Sequence, residues 1–413
     1  MNRSPRLTIL SQYFVPEMGA PQVRLSELGA ALVRRGWQVE VLTALPNYPT
    51  GKVFPGYSPW KTAREEVDGM TVTRVPLWPS KTGMARRMVS YLSFAATAAL
   101  LGPRHRSAPP PDLLLVESPP LTTGLAARWL AWRWGCPYVL NVSDLWPESF
   151  LRVGALKPGL LTGAAERFER SLYRHAAAIT GQSQEIIDHV RGKSPGTPTR
   201  VVTNGCDPAR FGPEQADEEA RALLGGEPGP VFLYAGLLGI AQGLDQLLDL
   251  AAALPPETPG RLVLVGDGPM REPLRERLER ERIPRVKLLP AQPRERIPAL
   301  LAAADGAIIS LVAPIPGAVP SKIYEAMASQ LPILLVAEGE PTRRVEEARA
   351  GLAVRPGDAA GMLAAFTRLA TEESLRQRLG SAGRRAAETT YHRDHIAEGL
   401  HHFLLERLPE AHP

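Results

Sequence analysis

The stretch VPSKIYEAMASQLPILLV, Val319 to Val336, joins a helix start to a buried strand. Pro320 and Ser321 stand where a helix should begin, and Ser321 is a good N-cap residue. The apolar run that follows shows no polar alternation, as expected of a strand covered on both faces. The same alternation of amphipathic stretch and apolar run continues outward. Before it lie VFLYAG (Val231 to Gly236), RLVLVGDG (Arg261 to Gly268), VKLLPA (Val286 to Ala291) and GAIISLV (Gly306 to Val312). After PILLVAE (Pro332 to Glu338) comes GLAVRPG (Gly351 to Gly357).

A separate series precedes a polar, Gly/Pro-rich stretch at 212–230. Its candidate strands are LTILSQYF (Leu7 to Phe14), WQVEVLTA (Trp37 to Ala44), MTVTRVPL (Met70 to Leu77), DLLLVES (Asp112 to Ser118), YVLNVSD (Tyr138 to Asp144), AAITGQS (Ala177 to Ser183) and RVVTNG (Arg200 to Gly205). Helical patterns such as PQVRLSELGAALVRRG lie between them. Two Rossmann-like, doubly wound parallel-sheet α/β domains are therefore expected. Such sheets bind ligands outside the carboxyl ends of their strands. The expected division is 1–211, 212–390 and a C-terminal segment 391–413. That last segment holds one amphipathic helix, HRDHIAEGLHHFLLERL, which either caps the second domain or crosses back to the first.

Composition narrows the class. The 413 residues are 44% hydrophobic and 22% charged, enough for two cores and unlike a disordered chain. The net charge of +5 comes without dense Lys/Arg runs or zinc-finger spacing, so nucleic acid is not an expected partner. The basic residues are overwhelmingly Arg, with seven Lys, which makes a Lys at a helix start more telling. The two cysteines, Cys136 and Cys206, form no C-x-x-C pair, so no metal or redox site is expected. The N-terminus carries no long apolar run of the signal-peptide kind, and a cytoplasmic setting is expected.

The helix start at 320–325 carries chemistry. Free backbone N–H groups there favour a phosphate. Lys322 adds charge, and the Glu325 carboxylate can accept two hydroxyls of a ribose. An ordinary capped helix with an acid near its N-terminus would read the same way. VGDGPMREPL, Val265 to Leu274, holds Gly266, Asp267 and Gly268 in a tight strand-to-helix turn.

These pieces together resemble the family 4 retaining glycosyltransferases, which have the GT-B fold. PSKIYEAMA is similar to the second half of the family's donor motif, with Glu325 in place of its second Glu. Gly317 stands where the first Glu would fall. VGDGP resembles the family's Val-Gly-x-Gly-Pro turn, and NGCDPARF (Asn204 to Phe211) its interdomain segment. YAGLLGIAQGLDQLL, Tyr234 to Leu248, resembles the first loop of the second domain, but Leu237 and Gln242 occupy the places of the family's diphosphate-clamping Arg and Lys. The resemblance implies donor contacts at Gly236, Gly239, Gln242, Gly266, Asp267 and Gly268. It adds Ala291, Pro320, Ser321, Lys322, Ile323 and Glu325, with Gly19 from the first domain.

NVSDLWPESF, Asn141 to Phe150, resembles members that build bacterial surface polysaccharides, including fucosamine-transferase-like (WbuB-like) enzymes. Asp144 remains of the family's His-Asp pair, and Ser143 replaces the His. A strand-ending Asx turn is the plainer alternative. Asp144, Lys322 and Glu325 are the expected catalytic set. Glu17, Arg24, Asn47, Trp146 and Glu148 are candidate acceptor contacts. The segment 84–106, apolar with basic ends, either lies on an anionic membrane or is a buried crossover helix; its continuous apolar part is too short to span a bilayer.

The resemblance implies retaining transfer of a sugar, of the N-acetylated amino or deoxy kind, from a UDP-sugar to a hydroxyl of a lipid-linked saccharide. It implies no cofactor and no metal. A non-hydrolysing UDP-sugar epimerase of the same fold and a catalytically weak nucleotide-sugar-binding subunit are the alternatives. An epimerase needs carboxylates and His around the sugar, and no such cluster stands at the strand ends.

Overall fold

A computed structural model describes residues 3–80, 83–104, 109–148, 159–225, 229–312 and 316–409. His105, Arg106, Ser149 and Phe150, which belong to the segments singled out above, lie outside the described residues. The chain divides into two compact units, residues 1–204 with 396–413 and residues 205–395. The break falls at Asn204, seven residues before the expected one.

The first unit runs β1 (Arg6–Leu10), α1 (Ala20–Arg34), β2 (Gln38–Ala44), β3 (Ala63–Val67), β4 (Met70–Val75), α2 (Met84–Leu101), β5 (Leu113–Ser118), α3 (Thr123–Trp134), β6 (Tyr138–Val142), α4 (Leu160–His175), β7 (Ala178–Gly181), α5 (Gln184–Lys193) and β8 (Thr199–Val201). Its sheet has the order β3-β4-β2-β1-β5-β6-β7-β8. All neighbours are parallel except β3 and β4, which form an antiparallel edge pair. β5, β6 and β7 are buried at every position, so both faces are covered. One face packs α2, α3 and α4 through Phe94, Ala98, Ala127, Leu130 and Leu172. The other packs α1 through Leu25, Leu28 and Leu32.

The second unit contains α6 (Glu218–Leu224), β9 (Val231–Ala235), α7 (Asp245–Ala253), β10 (Arg261–Val265), α8 (Arg271–Glu281), β11 (Val286–Leu289), α9 (Ile297–Ala302), β12 (Gly306–Ser310), α10 (Lys322–Ala328), β13 (Ile333–Val336), α11 (Glu340–Glu347), β14 (Gly351–Val354), α12 (Ala359–Thr371) and α13 (Glu373–Thr389). Its six strands are all parallel, in the order β11-β10-β9-β12-β13-β14. Strand order therefore reverses between β1 and β5 in the first sheet and between β9 and β12 in the second. Those two switch points are where open α/β sheets place ligands.

The last helix, α14 (Arg393–Leu405), completes the core of the first unit. Ala397, Leu400, Phe403 and Leu404 are buried with Leu7, Ile9 and Leu25. Trp37 Nε1 donates to His401 Nδ1 at 2.8 Å and fixes its approach. The helix thus crosses back to the first domain rather than capping the second.

Candidate functional site

The second unit's switch point brings the end of β9 against the start of α10. Tyr234 lies in β9, and its hydroxyl donates to the Leu237 carbonyl at 2.6 Å. Lys322 Nζ donates to the same hydroxyl at 3.0 Å and sits 4.2 Å from the Tyr234 ring centroid. Gly236 makes this possible. Its φ is +145°, and a Cβ there would lie 2.3 Å from Lys322 Nζ. Among the described residues Lys322 forms no ion pair. Burial pulls its ammonium down to about 8, and Glu325 pushes the other way.

Glu325 lies one helical turn further on, half-buried, with no hydrogen bond to its carboxylate among the described residues. Burial raises its pKa, while Lys322, Arg294 and Arg210 hold it down. The two arginines come from other segments: Arg294 follows β11, and Arg210 precedes α6. Neither forms an ion pair among the described residues. Burial and the charge of Arg210 lower the pKa of Arg294. Three cations thus act on one carboxylate, and none of them forms an ion pair among the described residues.

Ser321 is not the capping residue expected. Its backbone is already helical, at φ −58° and ψ −27°, so its hydroxyl makes no capping bond. The N–H groups of Ser321 and Lys322 have no acceptor among the described residues. Ile323 was expected to touch the donor. Its side chain is fully buried and its N–H is bonded to the Pro320 carbonyl, so neither is available to a ligand.

The turn after β10 is built by close backbone approach. A Cβ on Gly266 would lie 1.9 Å from the Gly236 carbonyl oxygen. Gly268, at φ +151°, would put one 2.4 Å from the Leu238 oxygen. The Leu238 N–H bonds the Asp267 carbonyl at 2.9 Å, tying this turn to the loop after β9, and the exposed Asp267 carboxylate accepts the Gly268 N–H at 2.8 Å. In the loop after β9, a Cβ on Gly239 would lie 2.5 Å from Gln242 Oε1, and that oxygen is buried without a partner among the described residues. Leu237 is exposed, and so is Ala291 after β11.

In the first unit several expected acceptor contacts are occupied by the fold. Glu17 is 1% exposed, and its oxygens accept the N–H groups of Phe14, Asn47 and Tyr48 at 3.2, 2.7 and 2.8 Å. Burial raises its pKa in spite of these bonds. It clamps two loops together and has no face left for a ligand. Asn47 is buried and donates to the Leu45 carbonyl at 3.0 Å. Trp146 is a core residue, packed with Leu140 and Leu145. Glu148 pairs with His189 Nδ1 at 2.8 Å on α5. Asp144 follows β6 and is half-buried.

Arg24 belongs to a buried network invisible in the linear chain. It pairs with Glu117 at 2.8 Å and donates to Ser143 Oγ at 2.6 Å and Asn204 Oδ1 at 3.1 Å. Asn141 Nδ2 donates to the other Glu117 oxygen at 2.7 Å, and Thr180 donates to Asn141 at 2.7 Å. Ser143 also donates to Glu117. This network ties together the carboxyl ends of β5, β6 and β7.

Residues 19–205 match the Glycosyl transferase 4-like domain family, and residues 215–386 match Glycosyl transferases group 1. The chain is a two-domain glycosyltransferase. Its relatives include the putative colanic acid biosynthesis glycosyl transferase WcaI of Escherichia coli K12, 28% identical, with 74% of each chain aligned. The fold is that of a sucrose-phosphate synthase from Thermosynechococcus elongatus, with a TM-score of 0.76 and 19% identity over 97% of this chain and 98% of that one. Anabaena HepE in complex with UDP-glucose is also similar, with a TM-score of 0.70 and 17% identity over 97% and 99% of the two chains. These likenesses place this glycosyltransferase in the GT-B architecture. Its sheets, switch points and long C-terminal helix agree with that placement.

Proposed function

We propose that the chain transfers a sugar, with retention, from a UDP-sugar to a hydroxyl of a lipid-linked saccharide in surface-polysaccharide assembly. The observation that carries this reading is the Lys322–Glu325 pair at the second switch point, with the Lys322 ammonium seated over Gly236. A diphosphate leaving an anomeric carbon gathers negative charge. Preorganised cations and N–H donors meet that charge without reorganisation. Lys322 supplies such a cation, and Arg294 and Arg210 stand near enough to Glu325 to shift its pKa. A protein-supplied set of this kind supports transfer without a metal. Glu325, with both oxygens unspent, is suited to two ribose hydroxyls, which would fix the leaving group in place. The groups facing Glu325 are cations rather than the second carboxylate and His that epimerisation would require.

In the same reading the enzyme works at the cytoplasmic face of a membrane, and its α2–α3 surface supports this. No helix among the described residues is long and apolar enough to cross a bilayer. α2 is buried along one face and open along the other: Phe94, Ala95 and Ala98 are buried, while Val89, Leu92 and Leu100 are exposed. Leu125, Trp129 and Trp132 are exposed on neighbouring α3. Arg86, Arg104, Arg128 and Arg133 are exposed among them, and neither helix carries an acidic residue. Exposed Trp and Leu with an unbalanced positive charge suit an anionic lipid surface.

The test is thermal stabilisation by UDP and UDP-sugars in the wild type and in Glu325→Ala. A bound ligand raises the melting temperature by mass action. Wild-type chain should be stabilised and Glu325→Ala much less so; equal stabilisation of both would remove Glu325 from the ribose role.

A further inference from the structure

The first sheet has its own cavity at its own switch point. Strand order reverses between β1 and β5, and a cavity of about 360 Å3 opens at the carboxyl ends of those two strands. Ser11 and Tyr13 line it from the loop after β1, Gln22 from α1, Tyr48 from the loop after β2, Tyr91 from α2 and Glu117 from β5. Two prolines, Pro119 and Pro120, close the β5 side.

The chemistry of this wall is specific. Tyr13 and Tyr48 meet edge to face at 5.8 Å, and Tyr91 lines the same wall. Aromatic faces edged by hydroxyls suit the C–H faces and hydroxyls of a sugar ring. Gln22 is 5% exposed, yet its Oε1 has no hydrogen-bond partner among the described residues. A buried amide oxygen left unsatisfied is costly, and this one borders an open cavity from which a partner can reach it. Gly19 keeps the amide where it is, since a Cβ there would lie 2.3 Å from Gln22 Oε1.

The cavity wall carries no cation among the described residues, and Arg87 reaches it only as a charge that lowers the Tyr13 pKa. Its one carboxylate, Glu117, is spent on Arg24, Asn141 and Ser143. No Lys or Arg lines the wall. A phosphate bound there would find no cation in the wall to contact, whereas a neutral polyhydroxyl ring finds tyrosines and an unspent amide oxygen.

We infer that this cavity is a saccharide subsite that takes an uncharged sugar ring of the acceptor, with the Gln22 amide hydrogen-bonding one of its hydroxyls. The inference rests on the transferase reading above and names the chemical class of its acceptor. It also replaces Glu17 and Asn47 as the acceptor contacts of this end of the sheet.

Saturation-transfer NMR on the full chain tests it, with the methyl glycosides of glucose, galactose, N-acetylglucosamine and fucose as probes and the matching sugar 1-phosphates beside them. At least one methyl glycoside should receive saturation. Gln22→Met, which keeps the volume and removes the amide, should weaken its binding by about tenfold, the worth of one lost hydrogen bond. Tyr91→Phe serves as a second, milder variant should Gln22→Met fold poorly. UDP is titrated into every sample as the donor control. No saturation of any glycoside in a chain that binds UDP would overturn the subsite. So would glycoside binding that neither variant weakens, or a preference for the sugar phosphates. Loss of UDP binding by the wild type would count against the donor reading instead and leave the glycoside result legible.

Discussion

Raising the pH from about 7 to about 9 should loosen the donor through a single side chain. Burial holds the Lys322 ammonium to about 8, below its ordinary 10.5. With that pKa the charged fraction falls from about nine-tenths to about one-tenth over the interval. If only the charged form grips the diphosphate, the apparent Kd rises about tenfold. A UDP-sugar is the proper probe, because its doubly esterified diphosphate does not itself titrate there. Calorimetric titration of the wild type should show this rise, and Lys322→Arg, charged throughout, should show a flat profile. The fold responds in the opposite sense. The unfolded chain binds more protons at this residue between about pH 8 and about 10.4, so the destabilisation caused by burying the ammonium fades as pH rises through that window. Affinity should therefore fall where this residue's contribution to stability improves, which separates a binding effect from general alkaline unfolding. A flat wild-type affinity profile, or an equal slope in Lys322→Arg, would refute the assignment.

Gly236→Ala forces a side chain into the space of Lys322 Nζ at a positive φ, 2.3 Å away. It should cost about 1–3 kcal/mol in urea melts and weaken UDP binding in calorimetry. Glu117→Gln removes the partner of Arg24, which is 2% exposed; breaking a buried pair from one side costs about 3–5 kcal/mol, read as a lowered denaturation midpoint. Wild-type chain should sediment with anionic vesicles and not with zwitterionic ones. Trp129→Ala/Trp132→Ala and added salt should each reduce that binding.

What could be read from the chain depended on whether a residue's partner lay nearby in sequence. Runs such as RLVLV and PILLV announce themselves because strands covered on both faces need apolar residues at every position. AREEV, the edge strand β3, went unseen because its exposed face is polar and its partner strand is antiparallel. Strand ends were overrun where apolar residues continue past the sheet. LTILSQYF reaches Phe14, whereas β1 stops at Leu10, and the surplus residues Ser11 and Tyr13 form a cavity wall instead.

The same distinction governs the sites. Lys322 and Glu325 can be picked out together in the sequence because one helical turn separates them. The Arg24–Glu117 pair spans 93 residues, and nothing in DLLLVES distinguishes its Glu from a strand-end solvent residue. Trp146 and Glu148 misled for the converse reason: a motif next to a site reports equally on the packing that holds the site. The absent Arg and Lys of the loop after β9 show this dependence most directly. Leu237 and Gln242 left a diphosphate with one cation in the local sequence. Arg210 and Arg294, from before α6 and after β11, lower the pKa of Glu325 and so bring positive charge to it from segments that no local motif connects. A missing motif residue therefore argues against a function only after the fold has been searched for a side chain that delivers the same charge from elsewhere.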